Sequence, residues 1–371
     1  MADFDAVFEG GGAKGAVFVG ALQVLEERGH RLRRLIGTSA GAITAALAAA
    51  GYSAGDMLEV VKERVDGKPR FCTFMDIPSA ASFTEAIRSN SVTLGILRDI
   101  DTPFAPNWLE ERADQILLDA LLKNRVYARF FSFVECGGFY SGETFRAWLE
   151  EKLQDRGVTP QDTLETFARK TGSDLSLVVT DTADMEMLVL NRRTAPNVPV
   201  SWAVRMSMSI PFVWQQVVWN PAWGDYLGRS KAGNVIVDGG MLSNFPIRLI
   251  AETGADIPEI MGDTSPTESA NVGLLIDENL PVAGEPDTPK TPNKLSSLRT
   301  IQRLSRMVDT MTGASDNAAI RRYEAEICRL PAKGYGTLEF DMEGPRLENF
   351  LQAGRDAMTK HLAARAAAAI A

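Results

Sequence analysis

The stretch from residue 33 to residue 51 constrains the fold of this chain more than any other. A short apolar run that ends at Ile36 leads directly into the pentapeptide Gly-Thr-Ser-Ala-Gly at residues 37–41, and an alanine-rich segment follows. Glycines on both sides of a serine permit a turn too tight for larger side chains. The pattern predicts a strand, a sharp turn and a helix. Ser39 then stands at the carboxyl end of the strand, above the positive end of the helix.

A similar unit precedes this stretch. Residues 4–9 read as a short strand, a glycine-rich loop covers residues 10–15, and apolar residues at helical spacing continue to about Arg28. A second strand over residues 31–36 then leads to the helix over residues 39–50. The order strand, helix, strand, helix predicts an α/β fold with a mostly parallel sheet and helices on its faces.

The remaining chain contains further elements and two irregular segments. Four prolines lie within residues 65–110, which we interpret as an insertion that forms a lid or a substrate wall. Proline, threonine and aspartate at residues 281–293 predict an exposed loop. We predict a helix that begins at Thr159-Pro160, an amphipathic helix over Lys294–Met311 and a helix from Leu347 onward. The predicted strands are Leu175–Thr180, Met187–Leu190, Val235–Val237, Cys328–Leu330 and Thr337–Phe340.

Composition excludes several classes of protein. The chain has 371 residues and a formal net charge of −9, which disfavours binding to nucleic acid polymers. Its three cysteines, at 72, 136 and 328, have neither the spacing of a metal site nor a disulfide pattern. We see no signal peptide and no apolar run near 18 residues, so we predict a cytoplasmic protein whose membrane contact, if any, is peripheral.

The glycine-rich loop has three possible uses. Residues 10–15 match G-x-G-x-x-G, which is typical of dinucleotide sites, yet the second strand ends without the acidic residue that would bind a ribose. A phosphate-binding loop is also disfavoured, because Lys14 is not followed by Ser or Thr. Successive glycines before a helix also leave several backbone N–H groups free, and these can stabilise an oxyanion.

A nucleophilic serine needs a base, and histidine is scarce here. The chain has two histidines. We interpret His30, after the first helix, and His361, in the terminal helix, as surface residues without a catalytic role. Asp238 is the better candidate because it ends the apolar strand Val235–Val237 and is followed by two glycines. A carboxylate with a pKa of about 4 is a weak base, but burial raises that value.

Together these motifs resemble the patatin-like phospholipase family. The family pattern is a glycine-rich loop, then G-x-S-x-G, then Asp-Gly-Gly or Asp-Gly-Ala. Here Glu9 replaces the usual aspartate before the loop. Weaker similarities extend over residues 140–149, the Ser-Met-Ser-Ile-Pro stretch at 207–211, the segment from Asp238 to Pro246, and a late strand at 335–340.

The resemblance implies a three-layer α/β/α fold over residues 4–360 as a single catalytic domain. Residues 294–371 are expected to form a mostly helical C-terminal part, whose last residues, 361–371, are an alanine-rich tail beyond that domain. It implies that Ser39 is the nucleophile and Asp238 the general base of a Ser-Asp dyad. The backbone N–H groups of the predicted oxyanion hole belong to Gly10, Gly11, Gly12 and Ala13. The supporting residues are Lys14, Gly15, Gly37, Ala40, Gly41, Gly239 and Gly240, and Ala40 N–H is expected to join the oxyanion hole.

The implied activity is the hydrolysis of acyl esters in phospholipids or related lipids at a membrane surface, without cofactor or metal. Some bacterial members of the family are regulated effectors, so an activating ligand or self-assembly is a further expectation. The alternative is a module that binds a nucleotide with the glycine loop and does not hydrolyse lipids. Apolar side chains between Phe71 and Ile100 and four tryptophans before Asp238 are compatible with an acyl channel, and equally with ordinary core packing.

Overall fold

The computed structural model describes residues 3–83, 85–89, 91–93, 118–254, 256–262, 269–288 and 316–368. In chain order its strands are β1 (Asp3–Phe8), β2 (Arg31–Thr38), β3 (Arg64–Val65), β4 (Lys68–Pro69), β5 (Gly138–Tyr140), β6 (Asp174–Asp181), β7 (Glu186–Leu190), β8 (Phe212–Trp214), β9 (Val217–Val218), β10 (Val235–Asp238), β11 (Ala270–Pro281) and β12 (Ile327–Lys333). Its α-helices are α1 (Val17–Glu27), α2 (Ala40–Ala49), α3 (Ala54–Lys62), α4 (Glu85–Ser89), α5 (Arg125–Cys136), α6 (Glu143–Gln154), α7 (Leu164–Thr171), α8 (Val200–Ser207), α9 (Arg248–Ala251), α10 (Ile257–Met261) and α11 (Gly344–Ala368). Residues 118–122 and 316–322 are also helical.

The main sheet is mostly parallel, as predicted. Its strand order is β12-β11-β1-β2-β6-β10-β9, and β7 also pairs with β6. The five strands from β12 to β6 are parallel, whereas β7, β9 and β10 are antiparallel to their neighbours. The central strands β1 and β2 are buried along most of their length, as expected for parallel strands that are covered on both faces.

Strand β10 differs from the expectation in its direction. The sequence predicts a mostly parallel sheet, but the strand that ends at Asp238, β10, runs antiparallel to β6. Both β2 and β10 pair with the same edge of β6, since β7 occupies the other edge. Thr38 pairs with Val178 and Asp238 pairs with Val179. The two strands therefore run towards each other and end at adjacent positions, which brings Ser39 and Asp238 together.

Side chains that alternate along the strands form two cores, one on each face of the sheet. On one face Phe8, Leu35 and Leu274 pack against α1, α2, α6, α8 and α11. On the other face Val7 and Ile36 pack against the α9 and α10 segments. This arrangement confirms the three-layer α/β/α fold. No helix within the described ranges combines the length and the apolar character needed to cross a bilayer.

One predicted helix begins later than expected, one predicted strand is wrong, and several elements are only partly described. The helix predicted from Thr159-Pro160 begins at Leu164, because Thr163 caps it through its hydroxyl and the preceding residues form turns. The strand predicted at Thr337–Phe340 is a turn, in which Glu339 N–H donates to the Gly336 carbonyl. Residues 282–288 form the predicted loop and are mostly exposed. The helix predicted over Lys294–Met311, residues 94–110 of the predicted insertion and residues 369–371 of the tail lie outside the described residues.

Candidate active site

Ser39 occupies a sharp turn between β2 and α2. Its backbone has φ 53° and ψ −119°, a conformation that non-glycine residues rarely adopt. The Ser39 N–H donates to Ser207 Oγ at 3.0 Å, and Ser207 Oγ donates to the Val178 carbonyl at 2.7 Å. These bonds hold the turn against β6. Strained backbone of this kind persists where surrounding structure enforces it, and it is typical of functional sites.

The two flanking glycines are required by close backbone contact. A Cβ added to Gly37 would lie 2.3 Å from the Gly41 carbonyl oxygen, and one added to Gly41 would lie 2.2 Å from the Phe8 carbonyl oxygen. The first turn of α2 therefore packs directly against the ends of β1 and β2. The intervening Ala40 begins α2 and is buried.

Asp238 is buried beside Ser39. Its side chain is only 4% exposed, and Oδ1 accepts a hydrogen bond of 2.8 Å from the Gly240 N–H. Its other oxygen, Oδ2, is buried and has no hydrogen-bond partner within the described part of the chain. Burial raises the pKa of Asp238 to about 7, and the adjacent Ser39 hydroxyl and the Gly240 N–H oppose that rise. A carboxyl group with this pKa can both accept and return a proton near neutral pH.

Gly239 and Gly240 allow the chain to turn beneath this carboxyl group. A Cβ on Gly239 would lie 2.3 Å from the Val178 carbonyl oxygen. One on Gly240 would lie 2.8 Å from Asn244 Oδ1 and 3.1 Å from Asp238 Oδ1. Close packing at both positions thus explains why glycines follow Asp238.

The glycine-rich loop lies over Ser39. A Cβ on Gly10 would be 3.1 Å from Ser39 Cβ, and one on Gly15 would be 2.8 Å from Ala40 Cβ. Of the four predicted oxyanion donors, Gly10 N–H donates to the Asn244 carbonyl at 3.1 Å, and Ala13 N–H donates to the Thr337 carbonyl at 2.8 Å.

Three other backbone N–H groups at this place have no hydrogen bond to any described residue. They belong to Gly11, Gly12 and Ala40. These three N–H groups are the ones available to bind an oxyanion. The N–H groups of Gly10 and Ala13, which were also predicted as donors, already bond to carbonyl groups of distant segments.

An apolar cavity begins at Ser39 and the glycine loop. It encloses about 760 Å³ of empty space, counting the part open to solvent. Almost all of its side chains are aliphatic or aromatic. Those beyond Ser39 and the loop include Val19, Ile43, Leu47, Met57, Val60, Phe71, Phe74, Phe145, Trp148, Ile210, Trp214 and Phe340. Of the four tryptophans between positions 202 and 223, Trp214 lines the cavity, whereas Trp202 and Trp219 both pack on Trp223.

Comparison with known proteins establishes the family. The family model described as patatin-like phospholipase matches residues 6–251, about two thirds of the chain. The chain belongs to the patatin-like phospholipase family. A relative from Bacillus subtilis (strain 168), the uncharacterised protein YqhO, is 30% identical over 254 residues, which are 67% of each chain.

Two solved structures are also similar to this patatin-like chain. VipD from Legionella pneumophila gives a TM-score of 0.49 at 17% identity, covering 97% of this chain and 67% of VipD. The type III effector protein ExoU gives a TM-score of 0.43 at 16% identity. The alignment covers 98% of this chain and 53% of ExoU, so this chain corresponds to about half of that protein.

The histidines of this patatin-like protein lie away from the cavity, but they are not simple surface residues. His30 is half-buried, with its ring edge-on to Phe4 at 5.1 Å. His361 is also half-buried in α11, where burial and then the charge of Arg365 lower its pKa to about 4. Neither residue lines the cavity that begins at Ser39.

Lys14 supports the loop from beneath. Its side chain is 5% exposed and its ammonium group forms an ion pair with Glu278 of β11. Glu9, the unusual residue before the loop, accepts hydrogen bonds from Asn244 Nδ2 and Ile276 N–H, and burial raises its pKa to about 8. Both side chains fasten the loop to β11, and neither faces the cavity.

Sequence reasoning assigned no role to Asn244 or Asp316. Asn244 Nδ2 donates to the Gly10 carbonyl at 3.0 Å, so that Asn244 joins the glycine loop through both its side chain and its backbone. Asp316 in turn accepts hydrogen bonds from Ser243 Oγ at 2.8 Å and Phe245 N–H at 2.7 Å. Asn244 lies in a stretch that carries the family resemblance, which is a usable signal, whereas nothing in the sequence marks Asp316.

Among the described residues, one group of acidic side chains has the spacing of a metal site. Asp181, Asp184 and Glu186 bring their carboxylates within 4.8 Å of one another. The ammonium group of Lys231, which is 1% exposed, forms ion pairs with all three. The lysine thus supplies the positive charge that these carboxylates need, and the group fits an internal ion-pair network better than a metal site.

Proposed function

We propose that this protein hydrolyses acyl esters of phospholipids or related lipids with Ser39 and Asp238 as a catalytic dyad. The observation that carries the proposal is the buried carboxyl group of Asp238 beside the Ser39 hydroxyl, at the mouth of an apolar cavity. Its Oδ2 has no hydrogen-bond partner among the described residues. Membership of a family of lipid acyl hydrolases supports the same activity.

In the proposed reaction, the Asp238 carboxylate takes the proton of Ser39 Oγ while Oγ attacks the ester carbonyl carbon. The carbonyl π electrons move to its oxygen, and the tetrahedral intermediate then collapses. The leaving alcohol departs with the proton that Asp238 returns. Water, deprotonated by Asp238, attacks the acyl-serine ester, and collapse of that intermediate releases the fatty acid and restores the Ser39 hydroxyl.

The N–H groups of Gly11, Gly12 and Ala40 are the proposed oxyanion donors. They have no hydrogen bond to another described residue, and they lie in the glycine loop and at the start of α2, on either side of Ser39. A positioned donor of this kind contributes about 3 kcal/mol to transition-state stabilisation. The Gly10 and Ala13 N–H groups act indirectly, since their bonds to Asn244 and Thr337 hold the loop in place.

The cavity is the proposed site for the acyl chain. Its aliphatic and aromatic lining matches a hydrocarbon chain, and burial of each methylene group contributes about 0.8 kcal/mol. The same lining is poorly suited to the charged phosphates of a nucleotide, so it favours the hydrolase over the nucleotide-binding alternative.

Phospholipid vesicles incubated with wild type, Ser39→Ala and Asp238→Asn test the proposal. We expect wild type to release free fatty acid and lysolipid, detected by mass spectrometry of the lipids, and both variants to lose nearly all turnover. His361→Ala, which changes a residue that does not line the cavity, is the control and should keep the wild-type turnover. Release of fatty acid by Ser39→Ala at the wild-type rate would refute the proposal.

A further inference from the structure

Helix α5 carries an unusual apolar surface. Six large apolar side chains are well exposed in the part of the chain that the structure describes, and four of them lie together on or beside this helix. Val126, Phe130 and Val134 follow one another at intervals of four residues and are 76%, 57% and 43% exposed. Val92 is 64% exposed, and its N–H donates to Glu135 at the end of the helix. We call these four residues the α5 stripe.

The opposite side of α5 is already used for packing. Ala128, Phe131 and Cys136 are buried in a small core with Phe83, Leu118 and Leu122. The α5 stripe therefore faces away from the part of the protein that the structure describes. A monomeric soluble protein normally scatters its exposed apolar residues, so a stripe along one helix marks a contact with another surface.

Most charges around the stripe are positive, in contrast to the whole chain. Lys123 and Arg125 are exposed at the start of α5, and Arg129 lies beside them with its guanidinium 5.5 Å from the centre of the Tyr140 ring. The carboxylate of Glu135 is bound by the Thr93 N–H at 2.8 Å and the Thr93 hydroxyl at 2.6 Å.

Another acidic group nearby, Asp119, forms an ion pair with Arg88. The stripe is thus bordered by three cations and by one carboxylate, Glu135, so the charge around it is net positive in a chain whose net charge is −9. An apolar helix face bordered by basic residues is typical of helices that lie in the interface of a bilayer with anionic lipids.

The helix also lies close to the candidate active site. Phe133 of α5 stacks on Phe139 of β5 with ring centres 4.5 Å apart, and β5 pairs with β8. Trp214 of β8 lines the cavity that begins at Ser39. A surface that bound the bilayer here would hold the cavity near its lipids.

We propose that the α5 stripe and its three cations form the surface with which this protein binds an anionic lipid bilayer. This proposal rests on the proposed function, since a lipid hydrolase needs such a contact, and it names the residues that make it. Val126 and Phe130 insert among the acyl chains, while Lys123 and Arg125 contact anionic head groups.

Vesicle sedimentation in a Ser39→Ala background tests the proposal without turnover. The vesicles contain phosphatidylcholine with 30% phosphatidylglycerol, or phosphatidylcholine alone. We expect tight binding only to the anionic vesicles. Val126→Ser combined with Phe130→Ser should weaken it about tenfold or more. The matched control, Met185→Ser combined with Val218→Ser, removes apolar residues that are 83% and 54% exposed elsewhere and should bind as the parent does.

A second variant keeps the test valid if the first fails to fold. Lys123→Gln combined with Arg125→Gln changes only exposed side chains and should lower binding to anionic vesicles and its sensitivity to salt. Unchanged binding in both double variants would overturn the proposal. So would light scattering that showed a dimer for the parent and a monomer for the stripe variant, since the stripe would then bind a second copy.

Hydrolysis of a monomeric short-chain ester, measured with Ser39 intact, separates the two proposals. Stripe variants that lose vesicle binding should keep this activity. If wild-type protein bound anionic vesicles normally but hydrolysed no ester, the catalytic proposal would be refuted and the proposal for the α5 stripe would be unaffected.

Discussion

The buried carboxyl group of Asp238 predicts a specific dependence of stability on pH. Burial raises its pKa from the ordinary 3.8 to about 7. The native state thus binds a proton that the unfolded state has already released, and its stability falls as the pH rises through 7. In Asp238→Asn this group carries no charge at any pH. The free energy of unfolding of the variant, relative to wild type, should therefore increase with pH.

The size of the effect follows from the two pKa values. At pH 5 Asp238 is ionised in the unfolded state alone, which lowers the free energy of unfolding of the wild type by about 1.6 kcal/mol. At pH 8 Asp238 is ionised in both states, and the reduction in the free energy of unfolding reaches about 4 kcal/mol. Asp238→Asn should gain about 2.5 kcal/mol on wild type between these pH values. Urea denaturation followed by tryptophan fluorescence at pH 5 and pH 8 measures this difference, provided that the m-values agree.

Asp162 supplies the matched control. Burial alone would raise the pKa of Asp162, but hydrogen bonds from Lys170 and Thr159 hold that pKa below its ordinary value. Both states are then ionised throughout the range from pH 5 to pH 8, so that Asp162→Asn should change stability by the same amount at both. If the difference between Asp238→Asn and wild type also stayed constant, the inference that Asp238 is buried with a raised pKa would be refuted.

Three further outcomes are expected. Ser207→Ala removes the acceptor of the Ser39 N–H, and kcat for a soluble ester should fall about tenfold with little change in KM; a change in KM alone would contradict the positioning role. Ile43→Trp fills the cavity one turn after Ser39, so kcat/KM should fall for long-chain esters and persist for short ones; equal losses would place the acyl chain elsewhere. Lys231→Met leaves the buried Asp181 without its cation, and unfolding experiments should show a loss of about 3 kcal/mol, with Lys231→Arg closer to wild type.

Local pattern was sufficient to predict the elements around the nucleophile. The strands and helices from β1 to α2 agree with the sequence because apolar runs, helical periodicity and glycine turns all act within a few residues. The direction of β10 could not be predicted from local pattern. It is determined by pairing with β6, whose residues lie more than 50 positions earlier in the chain. Thr337–Phe340 shows the same limit. Its apolar alternation suggests a strand, but the Thr337 carbonyl accepts from Ala13 N–H of the glycine loop instead.

The candidate site divides in the same way. Ser39 and Asp238 are recognisable because each ends an apolar strand and is followed by small residues. The contacts that position them are not, because they join residues far apart in the chain. The side chain of Asn244 donates to the Gly10 carbonyl across a separation of 234 residues, and the Gly10 N–H donates to the backbone carbonyl of the same asparagine. Tertiary contacts of this kind decide which N–H groups of the loop remain available.

Reaction with a fluorophosphonate tests the central claim, the Ser39-Asp238 dyad, most directly. Mass spectrometry of digested protein should find one adduct, on Ser39, and its rate of formation should rise with pH to a plateau, with a midpoint near 7 set by Asp238. Asp238→Asn should react at least a hundredfold more slowly, and His361→Ala at the wild-type rate. Labelling of Ser39→Ala, or loss of labelling in His361→Ala with the fold intact, would contradict the dyad.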